Sequence, residues 1–401
     1  MSRACFSPER ESGPIPSKLP SGSGSRHRPI SVPGGGASVK DQDRVELLKR
    51  LTDAPGIPGA EEAVWEVMRE ELSGTAEIIS DRLGSLIGRL QGASERPRVM
   101  LAGHMDEIGF LVSHVTAEGF LKFQQLGGWW DQVLLAQRVV VKTRKGDVPG
   151  IIGSRPPHIL PPDDRKKMVE KKDMYIDVGA ANEAEARDKL GIRPGDPVVP
   201  DSRFQLMANP RLAMAKAWDD RVGCALVVDT LRQLKSLGHP NTVYGVGTVQ
   251  EEVGLRGART SVDVVKPDVA FALEVAIAGD TPGVKSEEAA EKLGKGPSIL
   301  VYDGSMIPNR RLRDLVVDTA ETEGIPYQFG MVSGGGTDAG AIHVHAGGVP
   351  SLVIGVPCRY IHSHTGIIHL DDYDNAVRLL TAVIRRLDQA STERLTAWGG
   401  N

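Results

Sequence analysis

Residues 244–254 read YGVGTVQEEVG, and this stretch indicates which kind of sheet the chain builds. Its first six residues are apolar or β-branched residues interleaved with glycine, a composition typical of a strand that enters a core. The preceding residues 219–234, DDRVGCALVVDTLRQL, have the apolar spacing of a helix. A helix followed by a buried strand predicts an α/β sheet. The strand then ends in two adjacent carboxylates, Glu251 and Glu252, which a buried strand end does not by itself explain.

The same alternation recurs on both sides of a long interruption. Strand patterns RVMLAGH, VAFALEV and SLVIGV and helix patterns such as residues 310–324 predict an α/β fold whose sheet is covered by helices on both faces. Residues 106–202 instead hold short strand patterns separated by glycine and proline turns. We therefore predict a discontinuous α/β domain, residues 41–105 and 203–395, with a small β-domain inserted at 106–202.

Composition limits the function classes. The chain has 401 residues and a net charge of −4, so it has no overall basic field to attract nucleic acid or an anionic membrane. No apolar run approaches the length of a membrane span. The three cysteines are scattered and odd in number, which favours buried thiols in a reducing compartment over a disulfide framework.

The two ends of the chain differ from the rest. Residues 1–40 are rich in Ser, Gly, Pro and Arg and have few large apolar residues, so we predict a disordered tail without the apolar segment of a secretory signal. Residues 396–401 are predicted to form a short C-terminal tail.

Polar side chains cluster where the predicted strands end. They are His104, Asp106, Asp219, Asp220, Glu251, Glu252, Glu274, Asp280 and His362. In open α/β sheets ligands bind beyond the carboxyl ends of the strands, so these groups are expected to converge. Unpaired carboxylates at one edge repel each other unless a cation neutralises them. Histidine and carboxylate ligands without clustered cysteine favour zinc, cobalt or manganese.

Neighbouring residues in this set suggest a division of roles. Asp106 is two residues beyond His104, close enough to receive the imidazole N–H and fix the orientation of a metal-binding ring. Adjacent side chains on extended backbone diverge, so one of Glu251 and Glu252 can bind metal while the other faces a bound water. A carboxylate beside such a water is the usual general base of metal-assisted hydrolysis.

Seven motifs in order make the chain resemble a known family, the tetrahedral or glutamyl aminopeptidases, which are dinuclear zinc metallopeptidases. They are LTDAPGIPGAEE, LAGHMDEIGF, AKAWDDRVGCA, TVQEEVGLRGA, AIAGDTPG, SGGGTDAGAI and RYIHSHTG, and the resemblance covers about residues 41–395.

The resemblance implies a role for each candidate residue. His104 and Glu274 would hold one divalent metal, Glu252 and His362 the other, and Asp219 would bridge the two. Glu251 would be the general base and Asp106 would orient His104. The family usually has Asp where this chain has Glu274, which makes Asp280 the alternative ligand.

The resemblance also implies activity and assembly. It implies an aminopeptidase that hydrolyses short peptides in the cytoplasm and binds two divalent ions per subunit, most often zinc or cobalt and in some cases manganese. The inserted domain would be a β-barrel-like dimerisation domain, and dimers would assemble into tetrahedral dodecamers.

Three other functions stay open at this point. A dinuclear deacylase or carboxypeptidase acting on acyl-amino acids shares the His-x-Asp and Glu-Glu arrangement, although the inserted domain and RYIHS argue against it. A glycoside hydrolase would use an acid pair that includes Glu251. A non-catalytic scaffold would need none of these side chains.

Overall fold

The computed structural model describes residues 39–397, so most of the two predicted tails, 1–40 and 396–401, lies outside the described residues. This range has eight α-helices: α1 (Val39–Asp53), α2 (Glu62–Leu72), α3 (Trp218–Leu237), α4 (Arg256–Val265), α5 (Arg310–Thr322), α6 (Asp338–Ile342), α7 (Leu370–Ile384) and α8 (Gln389–Thr396). Within residues 39–397, no helix combines the length and the apolar character needed to cross a membrane.

Seventeen strands lie between and among these helices. They are β1 (Glu77–Ser80), β2 (Leu86–Gln91), β3 (Arg98–His104), β4 (Gly109–Val115), β5 (Leu121–Leu126), β6 (Arg138–Thr143), β7 (Gly146–Gly153), β8 (Tyr175–Asp177), β9 (Pro197–Pro200), β10 (Gln205–Leu206), β11 (Leu212–Ala215), β12 (Thr242–Thr248), β13 (Val269–Ile277), β14 (Ser298–Tyr302), β15 (Gln328–Met331), β16 (Ser351–Arg359) and β17 (Gly366–His369). They form one large sheet and one closed barrel, which confirms the predicted α/β fold with an inserted β unit.

The large sheet has eleven strands, in the order β1-β2-β12-β3-β13-β16-β17-β11-β10, with β14 and β15 branching from β16. Its centre, β12-β3-β13-β16, is parallel. Parallel strands with helices on both sides are buried on both faces and read as continuous apolar runs. The burial of every residue from Val99 to His104 in β3 fits this rule.

Helices cover both faces of the sheet, as the alternation of side chains along β3 demonstrates. Val99 and Leu101 belong to the main core with residues of α1, α2, α3 and α7. Met100 and Ala102 belong to a second core with residues of α4 and α6. Because successive side chains of a strand point to opposite faces, the two cores lie on opposite sides of the sheet.

The inserted unit is a closed six-stranded barrel, β4-β5-β8-β7-β6-β9, and its strands run from Gly109 to Pro200. It has a separate apolar core in which the rings of Phe110 and Trp129 stack with centroids 4.9 Å apart. The barrel begins a few residues after His104, so it leaves the large sheet at the same edge where the candidate site residues lie.

Candidate metal centre

The parallel centre of the sheet brings four strand ends to one edge. His104 is the last residue of β3 and pairs in register with Thr248, the last residue of β12. Ala272 of β13 pairs with Ala102, so Glu274 lies level with His104 two residues further along. His362 follows β16, the next strand across the sheet. The site residues are therefore gathered from distant parts of the chain by strand order alone.

The two histidines present the same ring nitrogen to the site. Nδ1 of His104 donates to the carbonyl of Asp106 at 3.0 Å, and Nδ1 of His362 donates to the carbonyl of Gly128, in the barrel segment, at 3.0 Å. A carbonyl oxygen can only accept, so in the neutral ring Nε2 is left with its lone pair free. That is the arrangement of a metal-binding histidine.

Asp219 lies between the two rings. Its Oδ1 is 3.0 Å from Nε2 of His104 and its Oδ2 is 3.2 Å from Nε2 of His362. It occupies this place because the backbone of Asp219 and Asp220 is not helical, although α3 begins at Trp218. Burial alone would raise the pKa of Asp219, but the neighbouring His104 and His362 outweigh it and hold that pKa low.

Asp106 holds the glutamate pair in place. Its two carboxylate oxygens accept the backbone N–H groups of Glu251 and Glu252, each at 3.0 Å, and Glu61 accepts the N–H of Gln250 at 3.1 Å. The carboxylate of Asp106 is 3.5 Å from Nδ1 of His104, whose hydrogen bond goes to the Asp106 carbonyl instead. Consecutive backbone N–H groups in the turn after β12 need hydrogen-bond acceptors, and the Asp106 carboxylate supplies them. The carboxylate therefore holds this turn directly and orients the imidazole of His104 less directly.

The glutamate pair lies in a turn, and the expected extended backbone is not found there. Gln250 has a φ of 57° and starts the turn. The two side chains still separate: Oε1 of Glu252 is 3.3 Å from Nε2 of His362, and Oε2 of Glu251 is 3.9 Å from Nε2 of His104. One carboxylate therefore faces each histidine.

Burial and crowding shift the ionisation of this cluster. Burial raises the pKa of Glu251 and of Glu274 well above the usual range, and neighbouring carboxylates raise both further. Burial lowers the pKa of His362, but Asp219 and Glu252 outweigh it and raise that pKa to about 11. Burial is thus the main cause of the raised pKa of the two glutamates, whereas the neighbouring anions cause the raised pKa of His362.

Glu274, and not Asp280, reaches the cluster. Glu274 is only 6 % exposed, and its Oε2 is 3.9 Å from Nε2 of His104. Asp280 instead accepts two hydrogen bonds from the guanidinium of Arg359, at 2.9 and 2.7 Å. The alternative ligand suggested from the sequence is thus already paired elsewhere.

Two further buried carboxylates belong to the site: Asp220, which was expected to converge there without an assigned role, and Asp338, which was not expected there. Asp220 accepts the N–H of His104 at 3.0 Å, and Asp338 accepts a hydrogen bond from the hydroxyl of Thr248. One oxygen of Asp338 is buried without a partner, and burial raises the pKa of Asp338 to about 6. Asp338 ends the SGGGTD motif, which is the signal that could have identified it.

The donor set fits divalent metal. Two groups of three residues have donor atoms within 4.8 Å of one another: His104, Asp219 and Glu252, and His104, Asp220 and Glu274. Oε1 of Glu252 is buried without a hydrogen bond although it faces the site. Imidazole nitrogens and carboxylate oxygens without thiolate suit zinc, cobalt or manganese.

The cluster opens into a cleft of about 800 Å³. Its far wall includes residues 334–337, the loop that precedes α6. A cleft of this volume is large enough for a small organic ligand. The buried acids and histidines are therefore accessible to one.

Known proteins resemble this chain over most of its length. The family model for M42 glutamyl aminopeptidases matches residues 84–379, and a model described as AMPT matches residues 42–68. A glutamyl aminopeptidase of Lactococcus lactis is 36% identical over 86% of this chain and 96% of its own length.

Solved structures have the same fold. The TET aminopeptidase of the marine sediment archaeon Thaumarchaeota archaeon SCGC AB-539-E09 superposes with a TM-score of 0.87 at 52% identity, covering 89% of this chain and all of that one. The TET1 peptidase of Pyrococcus horikoshii superposes with a TM-score of 0.76 at 35% identity, covering 86% of this chain and 100% of its own. That peptidase can assemble into a tetrahedron or a large octahedral shell. The chain belongs to the M42 glutamyl aminopeptidase family and is a peptide hydrolase of the aminopeptidase type.

Proposed function

We propose that this enzyme removes N-terminal residues from short peptides by metal-dependent hydrolysis at a centre of two divalent ions. The observation that carries the proposal is the pair of Nε2 atoms that both face Asp219, at 3.0 and 3.2 Å, with further carboxylates around them. Buried carboxylates that face two imidazole rings, each with a free Nε2 lone pair when the ring is neutral, are suited to hold cations.

Each residue receives a role from its position. His104 and Glu274 would hold one ion, His362 and Glu252 the other, and Asp219 would bridge them. These assignments are supported by the contacts of Asp219 with both rings and of Glu252 with His362 at 3.3 Å. Asp220, behind His104, is the further carboxylate that could complete the first set.

Glu251 is the proposed general base. The ions would polarise the scissile carbonyl and make a water acidic enough to be deprotonated near neutral pH. Glu251 lines the cleft and shares its turn with Glu252. It would take the proton of the attacking water and deliver it to the leaving amine, while Asp106 holds the turn in place.

The anionic cluster also accounts for a preference for the amino end of a peptide. Carboxylates of the cluster that the two ions do not neutralise would attract a free α-ammonium group, whereas an internal peptide bond has no charge to place there. Acylation removes that charge, so a blocked peptide loses the attraction.

We propose that subunits assemble into a homo-oligomer of dimers and dodecamers. The barrel loops expose large apolar side chains, Trp130, Ile159 and Met168, at 58, 67 and 55 %. Exposed apolar side chains of this size indicate a contact surface, and the P. horikoshii relative can assemble into a tetrahedron or a large octahedral shell. Sedimentation velocity should give the mass of an oligomer, and Trp130→Asp with Ile159→Asp should reduce it; an unchanged mass would contradict a role for the barrel loops.

We also propose a cytoplasmic location. Cys224 and Cys358 are buried free thiols, which suits a reducing compartment. Cell fractionation that finds the activity outside the cytoplasm would contradict this.

Two measurements test the activity. Metal-stripped protein should hydrolyse no peptide, and zinc, cobalt or manganese added singly should restore hydrolysis to different extents. The restored enzyme should cleave a peptide with a free amino terminus and leave its N-acetylated form intact. Equal cleavage of the acetylated form would favour a deacylase or carboxypeptidase, and glycoside hydrolysis that survives chelation would refute the proposal.

A further inference from the structure

Beyond the acidic cluster the cleft is bounded by apolar side chains. They are Leu255, Val275, Ile277, Leu300, Val332 and Ile361. They come from the turn after β12, from β13, from β14, from the segment after β15 and from the segment after β16. The cleft lining therefore combines the charged cluster with six apolar residues.

Outside the proposed metal centre, no cationic side chain among the described residues lines this cleft. Among residues 39–397, no lysine or arginine lines it, and Asp303 is its one titratable side chain outside the acidic cluster and the two histidines. A negatively charged substrate side chain bound beside the apolar residues, away from the proposed metal positions, would have no positively charged side chain to pair with. Burying such an unpaired charge is strongly unfavourable.

Both carboxylate oxygens of Asp303 accept hydrogen bonds from within the protein. The residue is 1 % exposed; its Oδ1 accepts the backbone N–H and the hydroxyl of Ser305, both at 2.7 Å, and its Oδ2 accepts the hydroxyl of Thr337 at 3.0 Å. It joins two turns of the cleft wall and has no free oxygen aimed into the cavity. A positively charged ligand group would gain no ion pair from it.

Glycines leave the two turns of this cleft wall without side chains at their closest approach. A Cβ on Gly304 would come within 2.4 Å of the carbonyl oxygen of Gly335, and one on Gly336 within 2.6 Å of Oγ of Ser305. The two turns can pack this closely only without side chains at these positions. No bulky group from either turn then fills the space beside the apolar residues.

We infer that the cleft selects peptides whose N-terminal residue has an uncharged, aliphatic side chain of leucine or methionine size, and disfavours glutamyl and lysyl peptides. The inference rests on the proposed aminopeptidase activity. The inferred preference differs from the one that the name of the L. lactis relative, glutamyl aminopeptidase, indicates for that protein. The physical basis is burial of apolar surface against the six apolar residues, which a charged side chain cannot match.

The test compares four aminoacyl p-nitroanilides, those of leucine, methionine, glutamate and lysine, with the full chain loaded with metal. We expect kcat/KM for the leucyl and methionyl substrates to exceed the other two by at least about a hundredfold. A glutamyl or lysyl substrate that equals or exceeds leucine would overturn the inferred selectivity while leaving the aminopeptidase activity intact. Hydrolysis of none of the four would refute both.

A variant sharpens the test. Ile277 lines the cleft and is 49 % exposed, so Ile277→Arg should fold and bring a cation to the apolar side. We expect the ratio of glutamyl to leucyl kcat/KM to rise by at least about tenfold. Ile307, 75 % exposed and outside the cleft, is the matched control, and Ile307→Arg should leave the ratio unchanged. A ratio unchanged in Ile277→Arg, or raised equally in both variants, would overturn the inference.

Discussion

Replacement of Asp106 by asparagine tests whether the turn that holds the glutamate pair is part of the catalytic apparatus. The carboxylate is completely buried and accepts two hydrogen bonds of 3.0 Å, from the N–H groups of Glu251 and Glu252. Asparagine has almost the same shape, but one of its two terminal atoms is an NH₂ group. In Asp106→Asn that group must face one of the two N–H donors.

The expected magnitudes follow from those two hydrogen bonds. A buried donor left without an acceptor costs about 1–3 kcal/mol, so the free energy of unfolding should fall by about that amount. The N–H groups belong to the residues that carry the proposed base and a proposed ligand. Loss of an interaction that supports metal ligands typically lowers metal affinity or activity about 10–100-fold, and we expect a decrease of this size in kcat/KM.

Asp372 is a matched control. It is 1 % exposed and also accepts two backbone N–H groups, from Gly294 and Gly296, both at 2.7 Å. It does not line the cleft. Asp372→Asn should therefore lower the free energy of unfolding by a similar amount and leave kcat/KM unchanged.

Three measurements on both variants decide the question: urea unfolding, metal content by mass spectrometry, and kcat/KM on a leucyl substrate. If Asp106→Asn loses stability but keeps wild-type metal content and kcat/KM, as expected for Asp372→Asn, the Asp106 carboxylate only stabilises the fold. If Asp106→Asn changes none of the three, the two hydrogen bonds are not important and the reasoning is wrong.

Three other predictions concern single residues. Glu251→Gln should retain metal and lose turnover, whereas Glu252→Gln should lower metal content; identical behaviour of the two variants would contradict the assigned roles. Gly128→Ala would place a Cβ 2.8 Å from Nδ1 of His362 and should therefore displace the imidazole ring. We expect turnover to fall by about tenfold or more and metal content to fall below two ions per subunit. Full metal content in this variant would contradict the prediction. Burial lowers the pKa of Lys216 from 10.5 to about 8, so the folded chain binds fewer protons than the unfolded chain between these pH values. The free energy of unfolding should therefore rise by about 3 kcal/mol from pH 8 to 10.5, and Lys216→Met should abolish this rise; an equal rise in the variant would disprove it.

The sequence alone determined the α/β fold of the chain and predicted most residues of the candidate metal centre. Helical and strand periodicity is a local property, so the buried run of β3 and the apolar spacing of α3 could be recognised without knowledge of their neighbours. The ends of such strands are where an α/β sheet binds ligands, and that rule sufficed to select His104, Glu274 and His362.

Other features depend on distances that no local pattern contains. The order β12-β3-β13-β16 and its register place Glu274 level with His104, and the same packing pairs Asp280 with Arg359. The motifs gave no indication that the Asp106 carboxylate would bind the turn of the glutamate pair, because that contact spans 145 residues.

The character of the cleft was also decided only by tertiary structure. Leu255, Ile277 and Ile361 are ordinary apolar residues in the sequence, and nothing near them marks them as ligand contacts. They become one wall because three separate strand ends meet at the same edge of the sheet. Sequence periodicity specifies which side of an element is apolar, but which elements share a cavity is fixed by long-range packing, and the inferred selectivity for substrate depends on that packing.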